Sequence, residues 1–137
     1  FEENSWEIGL IYKRKGKAYL SREDNIAAID NFDRAIPIFE SFLDETDPND
    51  FTETNGEDLV SQYEELVECY THAVQIRQQS SEPPLDEIGR LCFKLGNVFV
   101  LMNEHNEAIP WYRDAVFVQT KAFGHEHIAV VNSLHNL

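Results

Sequence analysis

Two pairs of cations raise the question of what this chain binds. Lys13 and Lys17 stand four residues apart, as do Arg90 and Lys94. On a helix that interval returns a side chain to the same face, so each pair forms one concentrated positive site. Asn97 follows Lys94 by three residues and adds an amide beside the second pair. Such a cluster suits a carboxylate-bearing segment. It stands out because the chain carries 25 acidic residues against 11 basic ones, a net charge of −14.

Spacing argues against other chemistry. His125, His127 and His135 have no Cys or paired carboxylate to complete a metal site. The acid-rich span Asp44–Asp58 resembles a calcium loop only in composition. Such a loop needs oxygen ligands at alternate positions and a glycine midway, and from Asp47 the fifth residue is Phe51. A solvated acidic loop, repelling wrong partners or attracting a basic one, is the expectation. There is no Gly-rich phosphate loop and no nucleophile–base pairing, so neither an enzyme nor a cofactor is expected. Cys69 and Cys92 lack CxxC or CxxH spacing and sit in apolar helical surroundings, as buried free thiols do in a reducing compartment. That places the protein in the cytoplasm.

Charge and hydropathy narrow the partners. No Lys or Arg occurs between Arg34 and Arg77, while acids run from Glu40 to Glu68. A chain this acidic is repelled by phosphate backbones, so nucleic acid is not expected. No run approaches the ~20 apolar residues of a membrane helix, the densest being Val98–Met102, so no membrane is expected either. The first residues, FEENSWEIG, lack the basic and apolar regions of a signal peptide. They also lack a Met, the mark of an excised fragment. At 137 residues, 42% of them apolar, the chain is one domain or a piece of one. It is long enough to bury roughly two thirds of its unfolded surface.

Helices must position the cations. Glu7–Leu20 has Ile8, Ile11, Tyr12, Lys15, Tyr19 and Leu20 at three- and four-residue intervals, which predicts a helix buried on that face. Gly16 inside it costs about 1 kcal/mol relative to Ala, tolerable where another backbone comes close. A second helix is predicted over Asn25–Leu43, with Ile26, Ile29, Phe32, Ala35, Ile36, Phe39 and Phe42 or Leu43 on its stripe and a bend at Pro37. Asp44–Asn55 breaks the pattern. A long helix then runs from about Glu57 to Gln79, with Leu59, Val60, Tyr63, Leu66, Val67, Tyr70, Ala73, Val74 and Arg77 inward. After Ser80–Pro84, Asp86 opens a hairpin of two helices. Its core is Leu91–Met102 and Asn106–Phe123, joined by Asn103-Glu104-His105. So short a connection requires antiparallel neighbours. Gly124 caps the hairpin, and Ile128–Leu137 begins one more helix.

The second helices repeat one another. Phe32, Tyr70 and Tyr112 each precede an Ala by three residues, and Ile or Val follows the Ala. Gly16 with Tyr19 matches Gly96 with Phe99 in the first helices. A helical unit of about 40 residues stacks into an array, because one hairpin cannot bury its own apolar face.

These positions resemble the tetratricopeptide repeat family. Gly16, Tyr19, Ala28, Phe32 and Ala35 match its small and aromatic sites, as do Leu95, Gly96, Phe99, Ala108, Tyr112 and Ala115. Asn106–Tyr112 is similar to the EAxPxY run of its 42-residue, kinesin-light-chain-like variety, and Gly124–Val130 to that variety's GxxHxxVA connector. The resemblance implies an all-α, α–α superhelix, a solenoid of antiparallel hairpins. Its repeats would span about 5–43, 46–80 with a degenerate first helix, 87–123, and a partial 126–137.

The resemblance also implies a function. The chain would be a non-enzymatic protein-interaction scaffold, holding a short acidic or carboxylate-bearing peptide in a groove lined by the first helices. Lys13, Lys17, Arg90, Lys94 and Asn97 would contact it. Arg90 and Lys94 match family members that grip a C-terminal carboxylate, whereas Lys17 stands where Asn is usual. The alternative is a structural segment that self-associates or joins a larger complex through Val130, Val131, Leu134 and Leu137. Trp111, with Tyr112 taking the packing position beside it, either packs on the next repeat or serves a partner.

Overall fold

The computed structural model describes residues 6–44, 56–123 and 135. Among them the fold is all-α, as expected of a helical-repeat protein. Its helices are α1 (Trp6–Ser21), α2 (Asn25–Asp44), α3 (Gly56–Gln78), α4 (Leu85–Leu101) and α5 (His105–Phe123). The first helix of the middle repeat was expected before α3, on residues that are mostly outside those described. The partial repeat at 126–137 is outside them too, apart from His135. The chain divides into two compact units, Phe1–Ala73 and Val74–Leu137.

The first unit is built on the α1–α2 hairpin. A methyl group added to Gly16 would lie 2.9 Å from the Phe32 ring, and one added to Gly9 would lie 2.7 Å from Phe39. Moving forward along α1 thus means moving backward along α2, so the two are antiparallel. Glycine is required here because two fully buried rings lie against the α1 backbone, where a Cβ would collide. Ala28 and Ala35, both fully buried, flank Phe32 on α2. Trp6 closes the open end against Phe39, with ring centroids 4.4 Å apart.

This arrangement corrects the expected face of α1. Its buried residues are Gly9, Lys13 and Gly16, whereas Ile11 is 49% exposed and Lys15 and Tyr19 are exposed. Periodicity located the large side chains, but α2 packs where side chains are missing. Ile26 departs in the same way, being 84% exposed on the first turn of α2, and Leu43 rather than Phe42 is buried at its end. α2 continues through Pro37 to Asp44.

The second unit repeats the hairpin with the same offsets. Gly96 sits under Tyr112 and Gly89 under Gln119, where added methyl groups would lie 2.5 and 2.7 Å from those side chains. Each of these four residues is 80 positions beyond its counterpart among Gly16, Phe32, Gly9 and Phe39. The turns repeat as well. Glu23 and Asn103, again 80 apart, both adopt φ of 62°. In each turn the next residue's N–H reaches back five positions, Asp24 to Tyr19 at 3.0 Å and Glu104 to Phe99 at 2.8 Å. The Glu23 and Asn103 N–H groups bond the carbonyls of Leu20 and Val100. This is the Schellman closure, in which a left-handed residue ends a helix and satisfies its last carbonyls.

Candidate functional site

Within the first unit, Lys13 and Lys17 are brought together, but their partners belong to the chain itself. The Lys13 ammonium pairs with Glu65 and with Glu68, the latter at 2.8 Å, and Lys17 reaches the other oxygen of Glu68 at 2.8 Å. The geometry follows from helix periodicity: Lys13 and Lys17 are one turn apart on α1, and Glu65 and Glu68 nearly one turn apart on α3. Lys13 has only 9% of its side chain exposed, whereas Lys17 keeps half of its own in solvent. Burial disfavours the charged form of Lys13, but its hydrogen bonds to Glu65 and Glu68 outweigh that and hold its pKa above the ordinary lysine value. Burial likewise pushes Glu68 upward, and the two lysines overcome it, leaving its carboxyl below the usual range.

His72 lies one turn beyond Glu68 on the same helix. Its ring stacks on Phe32, with centroids 5.0 Å apart and planes 17° from parallel. Its Nδ1 is buried without a hydrogen-bond partner, and Nε2 is 4.0 Å from Glu68. Burial lowers its pKa, Glu68 opposing in part and Lys17 and Lys13 reinforcing, so the imidazole is neutral at pH 7. Tyr70, also on α3, donates its hydroxyl to Glu40 of α2. Together these contacts tie α3 to the first hairpin through polar groups as well as packing. Sequence reading missed this cluster. Its only prior sign was the spacing of Glu65, Glu68 and His72 on a predicted helix.

In the second unit, Arg90, Lys94 and Asn97 follow one another along α4 at four- and three-residue intervals, on a flank about a quarter to a third of a turn round the helix from Gly89 and Gly96. Arg90 is exposed; Lys94 and Asn97 are half-buried. The Tyr112 hydroxyl donates to the Asn97 amide oxygen at 2.6 Å. That bond fixes the Asn97 side chain and leaves its amide N–H groups as donors. Tyr112 itself packs against Phe93 at 6.0 Å. Its hydroxyl is held protonated, because burial raises its pKa. At the start of α4, the Arg77 guanidinium meets Glu87 at 2.9 Å. The site thus offers one exposed guanidinium, one ammonium and one oriented amide, which is the donor set for a carboxylate.

Residues with other expectations fall elsewhere. Trp111 is half-buried beside buried Tyr112. Cys69 and Cys92 are free and buried, their thiols pushed up to about 12 chiefly by burial, so neither is poised as a nucleophile. Among the described residues no group of three or more His, Cys, Asp or Glu is placed to hold a metal ion. His125, His127 and most of Asp44–Asp58 are outside those residues. No described helix is long and apolar enough to cross a membrane.

The hairpin that carries Arg90, Lys94 and Asn97 is the part of the chain a family model recognises. Residues 89–116, from Gly89 of α4 to Val116 of α5, match the tetratricopeptide repeat. A search of curated proteins finds no match. Among solved structures, the N-terminal domain of stress-induced protein-1 (STI-1) from C. elegans is similar, with 17% identity and a TM-score of 0.43 over 96% of this chain and 95% of that one.

Proposed function

We propose that this chain is a non-enzymatic interaction scaffold of the cytoplasm, and that the α4 face at Arg90, Lys94 and Asn97 holds a short carboxylate-bearing peptide. The reading rests on one observation. The recognised tetratricopeptide repeat displays two cations and a tyrosine-oriented amide on one helix face, within a chain of net charge −14. A rigid hairpin that presents such a set spends little ordering entropy on capture. Lys13 and Lys17, read from sequence as part of the same groove, pair with Glu65 and Glu68, and the proposed contacts are Arg90, Lys94 and Asn97. The 42-residue spacing between Tyr70 and Tyr112 supports reading the array as the kinesin-light-chain-like variety.

The test is selection from a random peptide library with free C-terminal carboxylates, run in parallel with the same library amidated. Enrichment of acidic C-termini on the wild type, lost in Arg90→Glu/Lys94→Glu, is expected. Equal enrichment by that variant contradicts the proposal. A second reading, self-association, is favoured by Phe117, which is 62% exposed on α5 beside Val116 and Thr120 and lines an apolar hollow of about 360 Å³ with them. Sedimentation velocity separates the two: a concentration-dependent dimer that Phe117→Ser abolishes supports the second.

A further inference from the structure

The free cations of the first unit are on the side of α1 opposite Lys13. At about 100° per residue, Ile11, Arg14, Lys15 and Ala18 fall on one stripe of α1, turned away from Gly9, Lys13 and Gly16, and Arg22 follows in the turn just after Ser21. All five are exposed, with Tyr19 at the edge. Arg14, Lys15 and Arg22 have no ion-pair partner among the described residues, although the chain holds 25 acids. The sequence explains this, since no Asp or Glu occurs three or four positions from any of them. Glu7 is the one acid on the stripe, two turns before Arg14. On neighbouring α2, Arg34 approaches the Tyr12 ring at 5.8 Å while paired with Asp30. Ile11, 49% exposed, and Tyr19, 36% exposed, place apolar surface among the charges.

We propose that this outer stripe of α1 docks an acidic amphipathic helix of a partner protein. Charge complementarity selects the occupant: the unpaired Arg14 and Lys15 on α1, with Arg22 in the turn beyond it, match the carboxylates of an acidic helix. Ile11 and Tyr19 match the apolar residues between them, which a free anion or a phosphate polymer does not supply. The chain's overall negative field also works against long polyanions more than against a short peptide. This stripe shares no residue with the α4 site, so its failure would leave that reading untouched.

The probe is a fluorescein-labelled peptide of about 16 residues, the length of α1, built of Glu-Glu-Leu-Leu repeats, acetylated and amidated so that it has no terminal carboxylate. Anisotropy is read at ~50 and ~500 mM salt, because exposed charge pairs are screened over that range. Expected is saturable binding that weakens with salt, falls at least about tenfold in Arg14→Glu/Lys15→Glu, and is unchanged in Arg113→Glu. Circular dichroism checks that each variant keeps its helices; because the substituted side chains are exposed, folding is expected to survive. Equal loss in Arg113→Glu would mean nonspecific attraction and overturn the proposal. So would undiminished binding by Arg14→Glu/Lys15→Glu, or binding to phosphatidylserine vesicles or oligouridylate with none to the peptide.

Discussion

At the scale of single residues, the chain puts its most constrained charge where the sequence advertised a binding site. Lys13 is almost fully covered, and its two carboxylate partners come from a helix more than fifty positions away. Removing it would leave Glu65 without its cation and Glu68 with Lys17 alone. Lys13→Ala should therefore cost about 2 kcal/mol in urea unfolding, less than a fully buried pair because both acids keep about a third of their surface in water. His72 makes the cluster pH-dependent. Its folded-state pKa lies below the unfolded value near 6.5, so the unfolded chain binds the proton first. The stability it contributes is present above pH ~6.5 and is lost as pH falls toward the folded pKa. His72→Phe, which keeps a ring on Phe32, should flatten the slope of stability between pH ~7 and ~5. Two other groups bound the window. Glu68, with a lowered pKa, loses its contribution at more acid pH, whereas the contribution of Lys13 is full below pH ~10.5 and is lost as pH rises through its raised pKa.

At the scale of elements, each hairpin sets the glycines of its first helix under bulky side chains of its second, Phe32 and Phe39 in one and Tyr112 and Gln119 in the other. Substituting Gly96 by Ala would favour an isolated helix by about 1 kcal/mol. In this hairpin the new methyl would meet Tyr112 at 2.5 Å, so a loss of about 2 kcal/mol with a lowered melting temperature is expected. The reversal of sign tests the packing directly. The turns offer the opposite experiment. Glu23 carries a side chain at φ 62°, where only glycine is unstrained. Glu23→Gly should raise stability by about 1 kcal/mol, and Asn103→Gly by less, since Asn tolerates the left-handed region. Much of this was legible in sequence: helix limits came within two residues for most ends, and Gly16 with Gly96 marked the contacts. The inward face of α1 was not. A hydrophobic pattern finds large side chains, whereas Gly9, Lys13 and Gly16 are buried because rings and acids from other helices need the space or the charge.

At the scale of the whole molecule, the chain uses its cations sparingly, with 11 basic residues against 25 acidic ones. Within the first unit, Lys13 and Lys17 hold α3, whereas Arg14, Lys15 and Arg22 face solvent; on α4, Arg90 and Lys94 flank an amide fixed by Tyr112. Sequence spacing identified both i, i+4 pairs but could not divide them, because the acids that claim the first pair are distant in the chain. The Tyr112–Asn97 bond was equally hidden, since the family pattern explains Tyr112 as packing alone. The most direct measurement is a ¹⁵N-resolved NMR titration of the chain with a short peptide ending in two glutamates and a free C-terminal carboxylate, set against its C-terminal amide. The free carboxylate should shift the amides of Arg90, Lys94 and Asn97 and the Asn97 side-chain NH₂, with smaller shifts from the amide form. Perturbations that avoid α4, or that are the same for both peptides, would contradict recognition at this face.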